Sequence, residues 1–292
     1  MEVLVIGGTR YFGIPMIRKM LSDGHNITIA TRGLTPDFFG DDVRRLKLDL
    51  NDELSVRNAL KGRSYDVVID KMGYCSNEIK WILESLECER FVHMSTAGVY
   101  HLDHFNIKEE EFDGREGKLV WCNRNELSYD DVKRNAERAL CQVFNNINWA
   151  SLRVPFVLGR GDYTKRLRFY VEHVVNQTPM FIDNLDARFC VAYREEVSDL
   201  LILLAKNNIK GPVNGCSEKL VSIQEILDYV ESITGKMPIV NERGDPAPYN
   251  GTKDNSLDTS RAKCMGMVFS DLRNWLFPLL DEYVYKVGND DV

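Results

Sequence analysis

The sequence predicts an α/β protein with a doubly wound parallel sheet and a second, smaller C-terminal lobe. Three observations carry that expectation. Residues 5–13 read V-I-G-G-T-R-Y-F-G, an apolar run that breaks into a glycine-rich turn at the start of the chain. Through residue 155, short β-rich runs alternate with helical patterns, and strand–helix–strand repetition implies right-handed crossovers and a parallel sheet. The runs are also apolar almost without interruption, as in Val67-Val68-Ile69, which suits strands buried on both faces.

Taken in order, the strands fall at 3–6, 26–31, 43–48, 66–70, 90–95 and 149–154, with helices near 13–22, 51–61, 76–87 and 128–146. After Pro155 the alternation weakens. A basic segment (Lys165, Arg166, Arg168) precedes a helix near 194–206, a strand near 211–215 and an amphipathic helix at 222–234. Residues 241–256 are rich in Pro, Gly and Asn and read as a loop, and 269–286 is helical. The division expected is 1–155 for the sheet domain, completed by the strand near 211–215, and 156–292 for a lobe that closes over what the first half binds.

Composition narrows the classes. The 292 residues are 44% hydrophobic and 28% charged, with a net charge of −7. An acidic chain disfavours a broad nucleic-acid or anionic-membrane surface, since such surfaces need accumulated Lys and Arg. No apolar run approaches the ~20 residues that span a bilayer, and Met1–Ile6 reads as structure rather than as a signal peptide. Seven scattered cysteines, never spaced C-x-x-C, argue for reduced thiols in the cytoplasm and against a disulfide framework or a metal site.

The glycine turn is one candidate site. Where a strand ends and a helix begins, free N–H groups and the positive end of the helix dipole face the turn and hold a pyrophosphate without a basic side chain. The second candidate is Tyr129-Asp130-Asp131-Val132-Lys133, early in a helix, where Tyr and Lys at i and i+4 share a face. A cation beside a phenol favours the phenolate and fits it for proton exchange with an alcohol. By itself this spacing occurs on many solvated helix faces. Upstream, however, the fifth strand ends in M-S-T-A-G-V-Y, placing Ser95 and Thr96 at the carboxyl edge of the sheet, where ligands of open α/β sheets bind.

These segments together resemble the extended short-chain dehydrogenases/reductases, the sugar-nucleotide epimerase/dehydratase group with its Rossmann-type sheet. G-G-T-R-Y-F-G is similar to the cofactor loop of that family, V-H-M-S-T-A-G-V-Y to its serine/threonine strand and Y-D-D-V-K-R-N-A-E-R-A-L to its catalytic helix. L-R-V-P-F-V-L-G-R-G-D, P-V-N-G-C-S-E-K-L-V-S-I-Q-E-I and D-T-S-R-A-K-C-M-G resemble later stretches. The resemblance implies that Thr96 orients the substrate oxygen, that Tyr129 is the acid/base, and that Lys133 lowers the Tyr129 pKa and holds the nicotinamide ribose. It assigns the cofactor to Gly7, Gly8, Thr9, Arg10, Tyr11, Phe12 and Gly13, with Asp49 near the adenine. It also implies a small-molecule substrate such as a sugar nucleotide or related polyol, and a homodimer through the helix bearing Tyr129.

The chain departs from the family pattern in three places. Arg10 replaces the middle glycine, and Arg32 stands where NAD-preferring members carry an acidic residue. Two guanidiniums there suit a 2′-phosphate, so NADP is expected ahead of NAD; the alternative is a surface Arg10 and an Arg32 paired with a nearby Asp. Ala97 and Gly98 stand where 4,6-dehydratases place an acid pair, which leaves epimerase or keto-reductase chemistry. His101-Leu102-Asp103-His104 and Glu109–Glu111 read as a flexible charged lid rather than a metal site. The loop variant also resembles an atypical subgroup that includes RNA-binding members, so the rival expectation is a non-catalytic cofactor-sensing or RNA-binding protein on the same scaffold.

Overall fold

A computed structural model describes residues 1–289. In chain order the elements are β1 (Glu2–Ile6), α1 (Gly13–Ser22), β2 (Asn26–Thr31), β3 (Val43–Lys47), α2 (Glu53–Leu60), β4 (Arg63–Asp70), α3 (Ser76–Leu83) and β5 (Leu86–Met94). There follow α4 (Tyr129–Gln142), β6 (Trp149–Arg153), β7 (Phe156–Leu158), α5 (Arg166–Val175), β8 (Met180–Phe181), β9 (Val191–Tyr193), α6 (Arg194–Lys206) and β10 (Gly211–Asn214). The chain ends with α7 (Ile223–Thr234), β11 (Asp245–Pro246), α8 (Ser260–Cys264) and α9 (Arg273–Gly288).

The main sheet has seven parallel strands in the order β10-β6-β5-β4-β1-β2-β3. The direction of winding reverses between β1 and β4, the switch point at which such sheets open a crevice. Along β1, Val3 and Val5 face the layer formed with α1 and α6, whereas Leu4 and Ile6 face α2, α3 and α4. Both faces are therefore covered, which is why these strands carry so few polar residues. The later half of the chain contributes to this layer through β10, α6 and residues 262–269. A separate core packs α5, α7 and α9, and β7 pairs with β9 while β8 pairs with β11.

Several local expectations change. The helix expected over 76–87 stops at Leu83, and β5 starts at Leu86, because Leu86, Glu87 and Cys88 align with Arg63, Ser64 and Tyr65 of β4. The basic segment at 165–168 opens a helix: Leu167, Tyr170, Val171 and Val174 bury one face of α5, while its cations point to different surroundings. The stretch at 101–112 is an ordered strap, not a free lid. Ile107 is fully buried, its N–H donates to the Ser256 carbonyl at 2.8 Å, its carbonyl accepts from Asp258 N–H at 2.8 Å, and Glu109 accepts from Asn214 N–H at 2.9 Å. His104 spends its ring nitrogens on Asp103 and Glu111 at the surface, and no metal cluster occurs among the described residues. Residues 113–123 lie across the outer faces of α3 and α4: Ser76 and Asn135 bond to Val120, and Gln142 donates to the Gly114 and Gly117 carbonyls.

Candidate active site

A cavity of about 900 Å³ runs along the carboxyl ends of the strands, from the glycine turn to the C-terminal lobe. The turn is shaped by what its glycines exclude. Gly7 and Gly8 adopt φ of 88° and 96°, and a Cβ on Gly8 would sit 2.7 Å from Ile17 Cδ1. A Cβ on Gly13, where α1 starts, would fall 2.5 Å from the Gly8 backbone. The middle position has no such demand. The left-handed residue is instead Tyr11, at φ 55°, so Arg10 is tolerated without strain. Tyr11 fastens the turn to the rest of the site by donating its hydroxyl to the Val157 carbonyl at 3.0 Å. Among the described residues, the amides of Gly8, Thr9, Arg10, Tyr11 and Phe12 meet no acceptor, leaving a cradle of free donors against the cavity.

Arg10 and Arg32 both line the cavity. Arg10 donates to Thr35 Oγ1 at 2.8 Å, and its guanidinium lies 6.0 Å from the Tyr163 ring centre. Arg32 is exposed and has no ion-pair partner among the described residues; the nearby Asp37 is taken by Arg45 at 2.7 Å. Asp49 lines the cavity too, with Oδ1 accepting from the amide and side chain of Asn51.

Further along, the Ser128 hydroxyl caps α4 by accepting from Asp131 N–H, which fixes Tyr129 as its first residue. Tyr129 is 52% exposed along the cleft and packs edge-on against Tyr74, with ring centres 5.9 Å apart. Partial burial holds its phenol above the ordinary value, with the adjacent Thr96 hydroxyl pulling the other way. The depression expected from Lys133 is not found here. The Lys133 ammonium is buried and donates to the Gly73 carbonyl at 3.0 Å and the Met94 carbonyl at 2.8 Å, beneath the Tyr74 ring at 4.4 Å. Burial pushes its pKa down to about 8, against the raising influence of Asp70 and Glu78. One of its three protons is left for a ligand. Thr96 faces the cleft and accepts from Gly98 N–H at 3.1 Å, whereas its neighbour Ser95 turns inward and donates to Glu137.

Four lining residues carry no motif and were not foreseen: Lys71, Tyr74, Arg124 and Asp130; Arg166, from the basic segment, lines the cavity as well. Arg124 grips Glu78 and stacks on Tyr74 at 4.5 Å, so that ring lies against two cations and the tyrosine Tyr129. Arg166, at the start of α5, lies over the Phe156 ring at 5.5 Å. For Lys71 and Tyr74 the signal is position: they directly follow β4, and residues just past a parallel strand line the ligand edge.

The order of the seven parallel strands, with the glycine turn and the helix opening at Tyr129 along one edge, is a Rossmann-like α/β fold shared with solved sugar-nucleotide epimerases. The comparisons agree. The Bacillus cereus UDP-glucuronic acid 4-epimerase, solved with UDP-glucuronic acid and NAD, matches with a TM-score of 0.75 over 99% of both chains at 16% identity. The Thermus thermophilus UDP-glucose 4-epimerase, solved with NAD, gives 0.72 over 97% of this chain and 99% of the other at 18% identity. In sequence, the chain is 27% identical over 197 residues to the Arabidopsis thaliana chloroplast stem-loop binding protein of 41 kDa b, covering 63% of this chain. It spans about half the length of that relative, 49%. No protein-family model matches.

Proposed function

We propose that this protein is an NADP-dependent epimerase or keto-reductase acting on a sugar nucleotide or related polyol, with Tyr129 as acid/base. The observation that carries the reading is that one cavity joins the glycine cradle to the Thr96–Tyr129 pair. The cradle suits a dinucleotide: its amides lack acceptors, and its glycines leave only backbone at the surface where a pyrophosphate lies. Gly7, Gly8, Thr9, Arg10, Tyr11, Phe12 and Gly13 would hold the pyrophosphate, Asp49 the adenosine, and Lys133 the nicotinamide ribose. Arg10 and Arg32 favour NADP over NAD, since neither meets a carboxylate and a guanidinium fork matches a 2′-phosphate. NAD, present in the epimerase structures above, is the second choice.

When bound, such a cofactor supplies a carbon that takes up hydride from the substrate and returns it. Tyr129 removes the proton from the substrate hydroxyl as the C–H bond on the same carbon breaks, and gives it back when the carbonyl is reduced. Thr96 hydrogen-bonds the same oxygen and fixes it within reach of the phenol. Lys133 presents its remaining N–H to the ribose side. Arg166 and Lys253, contributed by the C-terminal lobe, offer cations to a substrate diphosphate.

No helix among the described residues is long and apolar enough to cross a membrane. All seven cysteines are free thiols, which supports the cytoplasm or another reducing compartment. The likeness to a stem-loop binding protein favours a second reading, an RNA-binding protein on this scaffold. Calorimetric titration with NADPH, NADP⁺, NADH and NAD⁺ separates the two: binding of the phosphorylated pair is expected, and silence from all four hands the lead to RNA binding. With a substrate in hand, Tyr129→Phe is expected to lower kcat by about 100-fold or more; turnover within a few-fold of the parent removes Tyr129 from the chemistry.

A further inference from the structure

Lys71 is the first residue beyond β4, at the switch point of the sheet, and its side chain lies against the glycine turn: a Cβ on Gly7 would be 3.5 Å from Lys71 Cβ. Its ammonium donates to the Arg10 carbonyl at 3.1 Å and sits 4.0 Å from the centre of the Phe12 ring. No carboxylate pairs with it among the described residues; Asp70, the preceding residue, uses Oδ1 to accept from the Met72 and Gly73 amides. Burial pushes the Lys71 pKa down to about 7. A lysine held without an anion, beside five amides that also lack acceptors, is a set of donors in want of one doubly charged ligand.

We propose that Lys71 is a ligand of the cofactor pyrophosphate, supplying beside the glycine turn a charge contact that backbone amides alone do not give. The inference rests on the reading of the cleft as a dinucleotide site. It assigns the two ends of the cofactor to different cations: Arg10 and Arg32 discriminate at the 2′-position, and Lys71 grips the part common to NADP and NAD. The Phe12 ring and the Arg10 carbonyl hold the ammonium at the turn before a ligand arrives, so little side-chain freedom is lost on binding. A point charge already in place also suits a turn whose middle residue is Arg10, because that residue's side chain is engaged elsewhere, on Thr35.

The test is calorimetric titration of the full chain and of Lys71→Met and Lys71→Arg with NADPH, NADH, ADP-ribose and adenosine 2′-phosphate. Loss of a charge-assisted contact is expected to weaken the three pyrophosphate ligands by a similar factor, about tenfold or more. Adenosine 2′-phosphate, which has no pyrophosphate, should change by less than about twofold, and Lys71→Arg should restore most of the affinity. Unchanged NADH and ADP-ribose affinity in Lys71→Met, with the parent binding both, overturns the assignment of Lys71 and leaves the dinucleotide reading standing. Equal loss for adenosine 2′-phosphate also overturns it, because the substitution then acts by deforming the turn. If the parent binds none of the four, the reading of the cleft fails and the inference falls with it.

Discussion

Replacing Glu137 by Gln tests whether the buried ion pair behind Thr96 holds the catalytic edge of the sheet together. Glu137 lies on α4, one turn beyond Lys133, and is fully buried. Its carboxylate accepts from Ser95 Oγ at 2.5 Å and from Arg153 Nη2 at 2.5 Å and Nε at 3.0 Å. Arg153, on β6 and likewise fully buried, donates onward to the Tyr100 hydroxyl at 2.7 Å and to the Glu109 and Phe112 carbonyls at 2.8 and 3.0 Å. Tyr100 in turn donates to Asn214 on β10 at 2.7 Å. One guanidinium therefore ties together α4, β6, β10 and the strap at 101–112.

Gln has nearly the volume of Glu, so the substitution leaves packing in place and removes only the charge. It also replaces an oxygen by an NH₂ that faces donors, from Arg153 on one side and Ser95 on the other. Breaking one partner of a buried pair costs about 3–5 kcal/mol. Gln keeps one acceptor, so about 3 kcal/mol is the reasonable expectation, a fall of about 6–12 °C in Tm for a chain of this size. The pH dependence gives a second check. Burial would raise the Glu137 pKa, but Arg153 and the Ser95 hydroxyl outweigh it and hold the group below its ordinary value. A depressed acid contributes stability that is present above the unfolded pKa, near about 4.3, and is lost as pH falls through the folded one. The gap between parent and variant in thermal melts should therefore be full at pH 7 and close in strong acid. A fall below about 2 °C at pH 7, or a gap that persists unchanged near pH 2–3, refutes the reasoning. The double variant Glu137→Met with Arg153→Met should recover much of the loss, since an apolar pair can replace a buried ionic one.

Two further predictions concern the cofactor end. Gly13→Ala places a methyl 2.5 Å from the Gly8 backbone, which no rotamer can relieve, so the turn must open. The expected result is loss of dinucleotide binding with a stability cost of about 1–3 kcal/mol, and retained NADPH affinity in calorimetry argues against this turn as the cradle. Arg32→Asp should weaken NADPH by about 100-fold while changing NADH by less than about threefold; equal loss of both in parallel titrations sinks the 2′-phosphate argument.

The central strands were legible because burial on both faces writes an uninterrupted apolar run, and Val3–Ile6 and Val67–Ile69 need no tertiary information to be read. Where a strand extends beyond that covered zone, the signal inverts. Leu86-Glu87-Cys88-Glu89 alternates apolar and charged residues, and continuing the preceding helix to residue 87 fits its charges as well as a strand does. Only pairing with Arg63–Tyr65 decides between them. The start of α5 was hidden for another reason. Its buried positions 167, 170, 171 and 174 have helical spacing, but three cations within four residues draw attention to charge rather than period. The glycine turn, Thr96, Tyr129 and Lys133 all fall along one edge because the sheet places them there, yet the sequence could not say where the Lys133 ammonium would point. That direction depends on the carbonyls of Gly73 and Met94, on two other strand ends.

Net charge describes the whole surface and not the cleft. A total of −7 speaks for the solvated surface as a whole and disfavours broad phosphate-binding faces. The cleft runs against that average: Arg10, Arg32 and Lys71 line it from the sheet side and Arg166 and Lys253 from the lobe, against Asp49, Asp130 and Asp162. An acidic exterior repels polyanions that would spread over it, while a recessed cationic cavity still receives a small ligand with one or two phosphates. The same distribution tells against stem-loop RNA as the natural occupant of the cleft, because a duplex needs its cations displayed along a surface, spaced to meet successive phosphates. Cations contributed by the glycine-turn side, Arg10 and Lys71, and by the lobe, Arg166 and Lys253, are the distribution that the proposed dinucleotide and substrate diphosphate require.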